Sequence, residues 1–414
     1  MSVDKVKSFG ADKLLTMLFD DGVYTELTPM AGDVVTVVTA CGKVQGQNVY
    51  AFAQNVDALS GAMTATQAEK LKRLYALALK TGYPVVGFYS GSSAKIAQGN
   101  MLLDSLGGLV ASAGRLSGVV PQISVVTGDV VSGMAMLANF ADFVVMTSDA
   151  RLSMSADSEC KGKGKAAVYT EDIADAVDAV INLISYLPAN NLSSAPVSNQ
   201  IIPANNNVFD KDTELVLFEN TGDGAKVSFA RISGQVVGAV VTLGKTLDCK
   251  TCKKIAKFVS ICDAFSIPVI TQVDAEEFEC LSGATAVLSA YTDATTIKIS
   301  VVTGKATGPV YMTLAGSAGR MDAVLALDGA VISPVKPEAA AYIALGDSLT
   351  GTVVEQDAQI AQYIATELSA VNAAKAGYID DIADDTTLRT KLINYLDVLS
   401  SKRESSLPKK HSTI

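Results

Sequence analysis

Cys249 and Cys252 form a Cys-x-x-Cys spacing, the arrangement with which many proteins hold zinc. A structural zinc takes four ligands, and no second cysteine pair or nearby histidine completes the set. No metal is therefore expected, and the spacing reads as chance at a helix start. The other cysteines are Cys41, Cys160, Cys262 and Cys280, sparse over 414 residues, so all six read as reduced thiols of a cytoplasmic protein. The one histidine, His411, stands three residues from the end. That removes histidine triads from the core and excludes every multi-histidine metal site. The string KGKGK (161–165) is basic and glycine-rich and could meet phosphates. It lacks the Gly-x-x-x-x-Gly-Lys pattern of a phosphate loop and reads as an exposed loop. Asp380 and Asp381 are adjacent, cannot face one reactant together and receive no role. Arg389, Lys402 and Arg403 fall on an amphipathic C-terminal pattern and read as solvated or at an interface.

The elements that would position such residues follow from composition and pattern. A chain of 414 residues suggests two domains. Hydrophobic residues make up 49% and charged ones 18%, which supplies enough apolar surface for buried cores and excludes disorder over most of the length. The formal charge of −10 makes nucleic acid and anionic lipid poor partners. Tryptophan is absent, which excludes tryptophan stacking. The opening MSVDKVKSFGADK has no apolar signal region, and no run of about 18 apolar residues follows, so no transmembrane segment is expected.

The chain repeats itself. ISVVTG occurs at 123–128 and again at 299–304, 176 residues apart. TGYPVVGFYS (81–90) is similar to FSIPVITQVD (265–274), and ADFVVMTSDARLSM (141–154) to MDAVLALDGAVISP (321–334). Before them, Leu71, Leu74, Tyr75 and Ala78 share the helical spacing of Ile255, Phe258, Val259 and Cys262. Two tandem copies of one α/β fold follow. Within the first copy, Thr66 and Glu69 predict a capping box, with Gly82 after the helix. A strand Val85–Tyr89, a small-residue helix at 109–117, the ISVV strand, a short helix near 133–140 and a VVM strand come next. Strands without alternation, separated by helices, imply parallel strands buried on both faces. The Pro-, Asn- and Ser-rich stretch 188–207 lacks periodicity; the division expected is 1–187, a linker 188–210, and 211–414.

Several stretches resemble one known family. They are GQNVYAFAQNVDALSGAM (46–63), PVVGFYSGSSAKIAQG (84–99), SGVVPQISVVTG (117–128), ADFVVM (141–146), YLPANN (186–191), KKIAKFVSICDAFSIPVITQVD (253–274), AAKAGYIDDI (373–382) and the ending SKRESSLPKKHSTI (401–414). They are similar, in order, to the carboxyltransferase subunits of biotin-dependent acyl-CoA carboxylases and the related decarboxylases. That resemblance implies two crotonase-like (ββα superhelix) domains, with the acyl-CoA on the first and biotin on the second. Biotin would arrive on a partner chain, since no Met-Lys-Met attachment site is present. Other implied partners are a biotin carrier, a biotin carboxylase or decarboxylase subunit, and further copies of this chain in a dimer or hexamer. The family's site lies between the first copy of one subunit and the second copy of another.

The implied chemistry moves a carboxyl group between biotin and the α-carbon of an acyl-CoA. Both the ureido oxygen and the thioester oxygen become negative. Backbone N–H groups at helix starts stabilise such oxygens without any histidine, and biotin itself can accept the proton. Carried over by the resemblance, the first donor pair falls at Ser132 and Gly133, in GDVVSGMAM (128–136), which begins at Gly128. The second falls at Pro309 and Val310, after Gly308 in GKATGPVYM (304–312), and Met312 occupies the position that sets acyl-chain choice. The loop after the first strand reads GSSAK, so Ser92 and Ser93 stand where the family has glycines and Lys95 where it has arginine. Pro309 has no N–H to donate. Glu276 and Glu277 replace an uncharged loop; they either oppose a passing carboxylate or point harmlessly to solvent. Two functions are therefore expected in competition: an active carboxyltransferase subunit, or a catalytically impaired relative that serves an active one as structural or regulatory partner.

Overall fold

The computed structural model describes residues 10–404, apart from 31, 33, 92–93, 156–165, 204–207 and 245. The chain divides into two compact units, Met1–Pro196 and Val197–Ile414. No helix among the described residues is long and apolar enough to cross a membrane.

The first unit contains strands β1 (Tyr24–Glu26), β2 (Val37–Val44), β3 (Gln47–Gln54), β4 (Val85–Tyr89), β5 (Gln122–Val126), β6 (Asp129–Val131), β7 (Phe143–Thr147), β8 (Arg151–Ser153) and β9 (Val168–Thr170). Its helices are α1 (Ala11–Leu18), α2 (Ala65–Thr81), α3 (Asn100–Leu116), α4 (Ser132–Asn139) and α5 (Ile173–Tyr186). The main sheet runs β1-β2-β3-β4-β5-β7-β9, antiparallel up to β3 and parallel beyond. Every residue of β4 and of β5 is buried, as non-alternating strands require when both sheet faces are covered. Phe52 packs edge-on against Tyr75 and Tyr89, with ring centroids 6.4 and 5.4 Å apart, which locks α2 onto the sheet.

The second unit contains strands β10 (Leu215–Leu217), β11 (Ala225–Ile232), β12 (Gln235–Thr242), β13 (Thr246–Leu247), β14 (Val269–Ala275), β15 (Glu277–Phe278), β16 (Lys298–Thr307), β17 (Ala323–Leu327), β18 (Val331–Ser333) and β19 (Asp381–Ala383). Its helices are α6 (Cys249–Ala264), α7 (Leu281–Asp293), α8 (Gly308–Leu314), α9 (Pro337–Leu345), α10 (Val353–Glu367), α11 (Ala370–Lys375) and α12 (Leu388–Leu399). The path β10-β11-β12-β14-β16-β17-β19 repeats the order and strand directions of the first unit. The repeat extends to detail. β6 pairs with β8 in parallel, and the last residues of β16 pair with β18 in the same sense.

Four sequence expectations are corrected. The cap of α2 is Thr64, whose hydroxyl accepts the Gln67 N–H at 3.2 Å, so the helix starts two residues before the place Thr66 and Glu69 suggest. The small-residue helix begins at Asn100, because Gly107 and Gly108 interrupt the apolar spacing without interrupting the helix. Arg389 is not a solvated surface group: it pairs with buried Asp210 and donates to Val208 O, tying α12 to the start of the unit's sheet. Lys402 likewise bonds Asp322 at 2.9 Å and Thr296 O at 3.0 Å. Finally, the cysteines are not all reduced, since Cys249 and Cys280 form a disulfide. His411 and the KGKGK string lie outside the described residues.

Candidate functional site

In the first unit, the loops that leave the C-terminal ends of β3, β4 and β5 are drawn together, the usual ligand-binding edge of parallel strands. Gln54, the last residue of β3, is fully buried. Its side-chain oxygen accepts the N–H groups of Ser90 and Gly91, each at 2.9 Å, and its amide nitrogen donates to Gly61 O at 3.0 Å. The Ser90 and Thr127 hydroxyls meet at 2.6 Å and join the ends of β4 and β5. A Cβ on Gly128 would lie 2.5 Å from Ser90 O, so only glycine lets the turn after β5 approach this loop. Lys95 is exposed, and its N–H donates to Met63 O at 2.8 Å. Ser92 and Ser93 lie outside the described residues.

Ser132 and Gly133 are the first two residues of α4, and no side chain caps this start. First-turn N–H groups have no partner within their own helix, so they are left for water or a ligand. Ser132 adopts φ 56°, a left-handed conformation that costs a residue with a Cβ about 1–2 kcal/mol. Such strain persists where the surroundings enforce it and is common at functional positions.

The second unit builds the same edge with different residues. Thr242 ends β12 as Gln54 ends β3, and its hydroxyl accepts the Asp274 N–H at 2.6 Å. Thr303, in the place of Thr127, donates to Val273 O at 3.3 Å. α8 starts at Gly308 with φ 42° and also lacks a side-chain cap. Gly308 is thus the counterpart of Ser132, and Pro309 that of Gly133. Pro309 is exposed at the second position of α8, Val310 is fully buried as a side chain, and Met312 is exposed.

Glu276 and Glu277 flank this start, and neither is an unpaired carboxylate. Glu276 is mostly buried and bonds Lys305 Nζ at 3.1 Å, while its carbonyl accepts the Thr307 hydroxyl. The Lys305–Glu276 hydrogen bond, followed by the charge of Glu276 and then Glu338, holds the Lys305 ammonium above its ordinary pKa. Glu277 is half-exposed and pairs with Lys336 at 3.2 Å, and the Lys336 hydrogen bond is the main reason its carboxyl sits below the usual range. The pairing removes most of the repulsion that two adjacent acids would otherwise impose.

Sequence reasoning brought out the helix starts and missed the residues that hold the loops, Gln54, Thr127, Thr242 and Thr303. Their signal lies in the repeat, since a polar residue ends β3 and β12, and Thr127 and Thr303 hold the same place in the repeated ISVVTG. Gln54→Ala is expected to strand the Ser90 and Gly91 N–H groups, each at about 1–3 kcal/mol. Amide exchange across 88–95 should quicken while exchange across 269–275 stays unchanged; equal protection in both segments would show that Gln54 holds nothing.

A doubled, mostly parallel sheet with loops gathered at its strand ends is a crotonase-like α/β architecture. A crystal structure of transcarboxylase 12S, titled as a hexamer assembly with hydrolyzed methylmalonyl-coenzyme A bound, superposes with a TM-score of 0.89 at 25% identity over 97% of this chain and 92% of that one. The family profile described as "Carboxyl transferase domain" matches residues 17–156 and 152–414. The chain belongs to this carboxyltransferase family. Similar curated proteins include the methylmalonyl-CoA decarboxylase subunit alpha of Veillonella parvula, 27% identical over 98% of this chain and 92% of that protein. Another is the methylmalonyl-CoA carboxyltransferase 12S subunit of Propionibacterium freudenreichii subsp. shermanii, 28% identical over 99% of this chain and 88% of that protein.

Proposed function

We propose that this chain is a carboxyltransferase-type subunit that moves a carboxyl group between biotin and an acyl-CoA of the methylmalonyl or propionyl class. The observation that carries this reading is the pair of uncapped helix starts, one per unit, in a member of the carboxyltransferase family. The first unit would take the thioester. Ser132 and Gly133 N–H groups, aided by the α4 dipole, would stabilise negative charge on the thioester oxygen. Gln54 and the Ser90–Thr127 hydroxyl pair would hold the adjoining loop, and Lys95 on that loop supplies positive charge at its exposed edge. The second unit would face biotin through Val310 N–H, with Met312 beside the acyl chain. Biotin, carried on a partner chain, supplies the oxygen that accepts negative charge and the site that takes the proton. The fit in the second unit is partial, because Pro309 leaves one N–H where the family has two. A homo-oligomer in the cytoplasm, served by a biotin carrier and by a biotin carboxylase or a decarboxylase subunit, completes the reading.

Pro309 together with the strained Ser132 favours a second reading, a catalytically impaired subunit that supports an active one. One experiment separates them. The purified chain is incubated with methylmalonyl-CoA and free biotin or a biotinylated carrier, and propionyl-CoA is followed by chromatography. Biotin-dependent product is the expected result. Its absence, with tight co-purification of another carboxyltransferase-like chain, would transfer the assignment to the supporting role.

A further inference from the structure

Three sulfurs crowd one corner of the second unit. Cys249 is the first residue of α6 and Cys280 the N-cap of α7; their disulfide spans 31 residues, with Cα atoms 6.0 Å apart. Both are partly exposed. Cys252, one turn along α6, is fully buried. A Cβ on Gly283 would lie 3.0 Å from Cys280 Sγ and 3.1 Å from Cys252 Sγ, so both sulfurs press on the same glycine.

The bond joins two segments that matter to each other. β13 and β15 pair in parallel, Thr246 with Glu277 and Leu247 with Phe278, and each cysteine follows two residues after its strand. Glu279 N–H donates to Leu247 O at 2.9 Å. β15 follows directly on Glu276, which holds Lys305 and Thr307 immediately before Gly308. The disulfide is therefore a staple on the loop that flanks the start of α8.

We propose that Cys249 and Cys280 form a thiol–disulfide exchange site whose redox state sets the position of residues 275–279 against the start of α8. The co-reactant is a dithiol. One of its thiolates attacks Cys249 Sγ, the Cys249–Cys280 bond breaks, and Cys280 leaves as a thiolate. Cys280 is the better leaving group, because its sulfur accepts the Gly283 N–H at 3.2 Å at the start of α7. The second thiol of the reductant then attacks the mixed disulfide and releases Cys249. The dithiol ends as a disulfide, two electrons enter the protein, and its two protons finish on Cys249 and Cys280. Cys252 does not compete. Burial, then the Asp248 and Glu279 carboxylates, push its thiol up to about 11, so it stays protonated near neutrality.

The exchange is tested without an activity assay. The full chain is incubated with reduced dithiothreitol under native conditions, alkylated and mapped by mass spectrometry. Cys249 and Cys280 should label together, with Cys252 and Cys262 unlabelled, and oxidised dithiothreitol should reverse the change. Hydrogen exchange across 275–283 should quicken about tenfold on reduction, with no change across 47–54. The Cys280→Ser variant keeps an oxygen to cap α7 and should show the fast exchange in either redox condition. The proposal is overturned if Cys249 and Cys280 label before any reductant is added, if the bond resists the dithiol until denaturant is present, or if exchange across 275–283 is the same in oxidised, reduced and variant protein.

Discussion

Pro309→Gly is expected to transfer carboxyl groups about 10²–10³ times faster than the native chain, the range that one oxyanion donor supplies. The substitution restores an N–H at the second residue of α8 and removes only an exposed ring. Proline is well suited to a helix's first turn and glycine less so, so the same variant should lose up to about 1 kcal/mol of stability. Rate and stability thus move in opposite directions. The measurement is kcat with saturating thioester and biotinylated carrier, beside a urea unfolding curve. An unchanged kcat would mean that the N–H of Val310 already suffices, and the missing donor would cease to explain anything.

Gly308→Val is the converse experiment, with a loss expected. At φ 42° a β-branched residue is strained by about 1–2 kcal/mol, and its Cβ would lie 2.8 Å from the Pro334 carbonyl oxygen. That oxygen belongs to the backbone after β18, so α8 must shift or unwind at its first turn. A displacement of about 1 Å is enough to cost 10²-fold in rate. Gly329→Ala is the control, because a Cβ there meets nothing within 4 Å. Retention of full carboxyl transfer by Gly308→Val would remove the start of α8 from the reaction.

Much of this could be read from the residues. Non-alternating apolar runs gave β4, β5 and β7 within a residue or two, because burial on both faces leaves no ambiguity of pattern. The repeat predicted two copies, and the matching strand orders bear that out. Other features left no local trace. Thr64 and Thr66 are equally good caps in isolation, and tertiary bonds around the start, from Ala65 N–H to Gln98 and from the Gln67 side chain to Val34 O, favour the former. Cys249 finds Cys280 across 31 residues because two two-residue strands pair, and such strands are too short to announce themselves. Nothing local marks Gln54, because it is buried by the loop folded over it.

The two helix starts differ in a way that bears on how a doubled chain can drift. The first keeps both hydrogens and bears a serine in a twist that suits glycine. The second keeps the glycine and has lost a hydrogen one residue later. The two starts differ at neighbouring positions of the same turn, Ser132 against Gly308 and Gly133 against Pro309. Duplication thus lets one polypeptide carry two unlike helix starts on the same strand order.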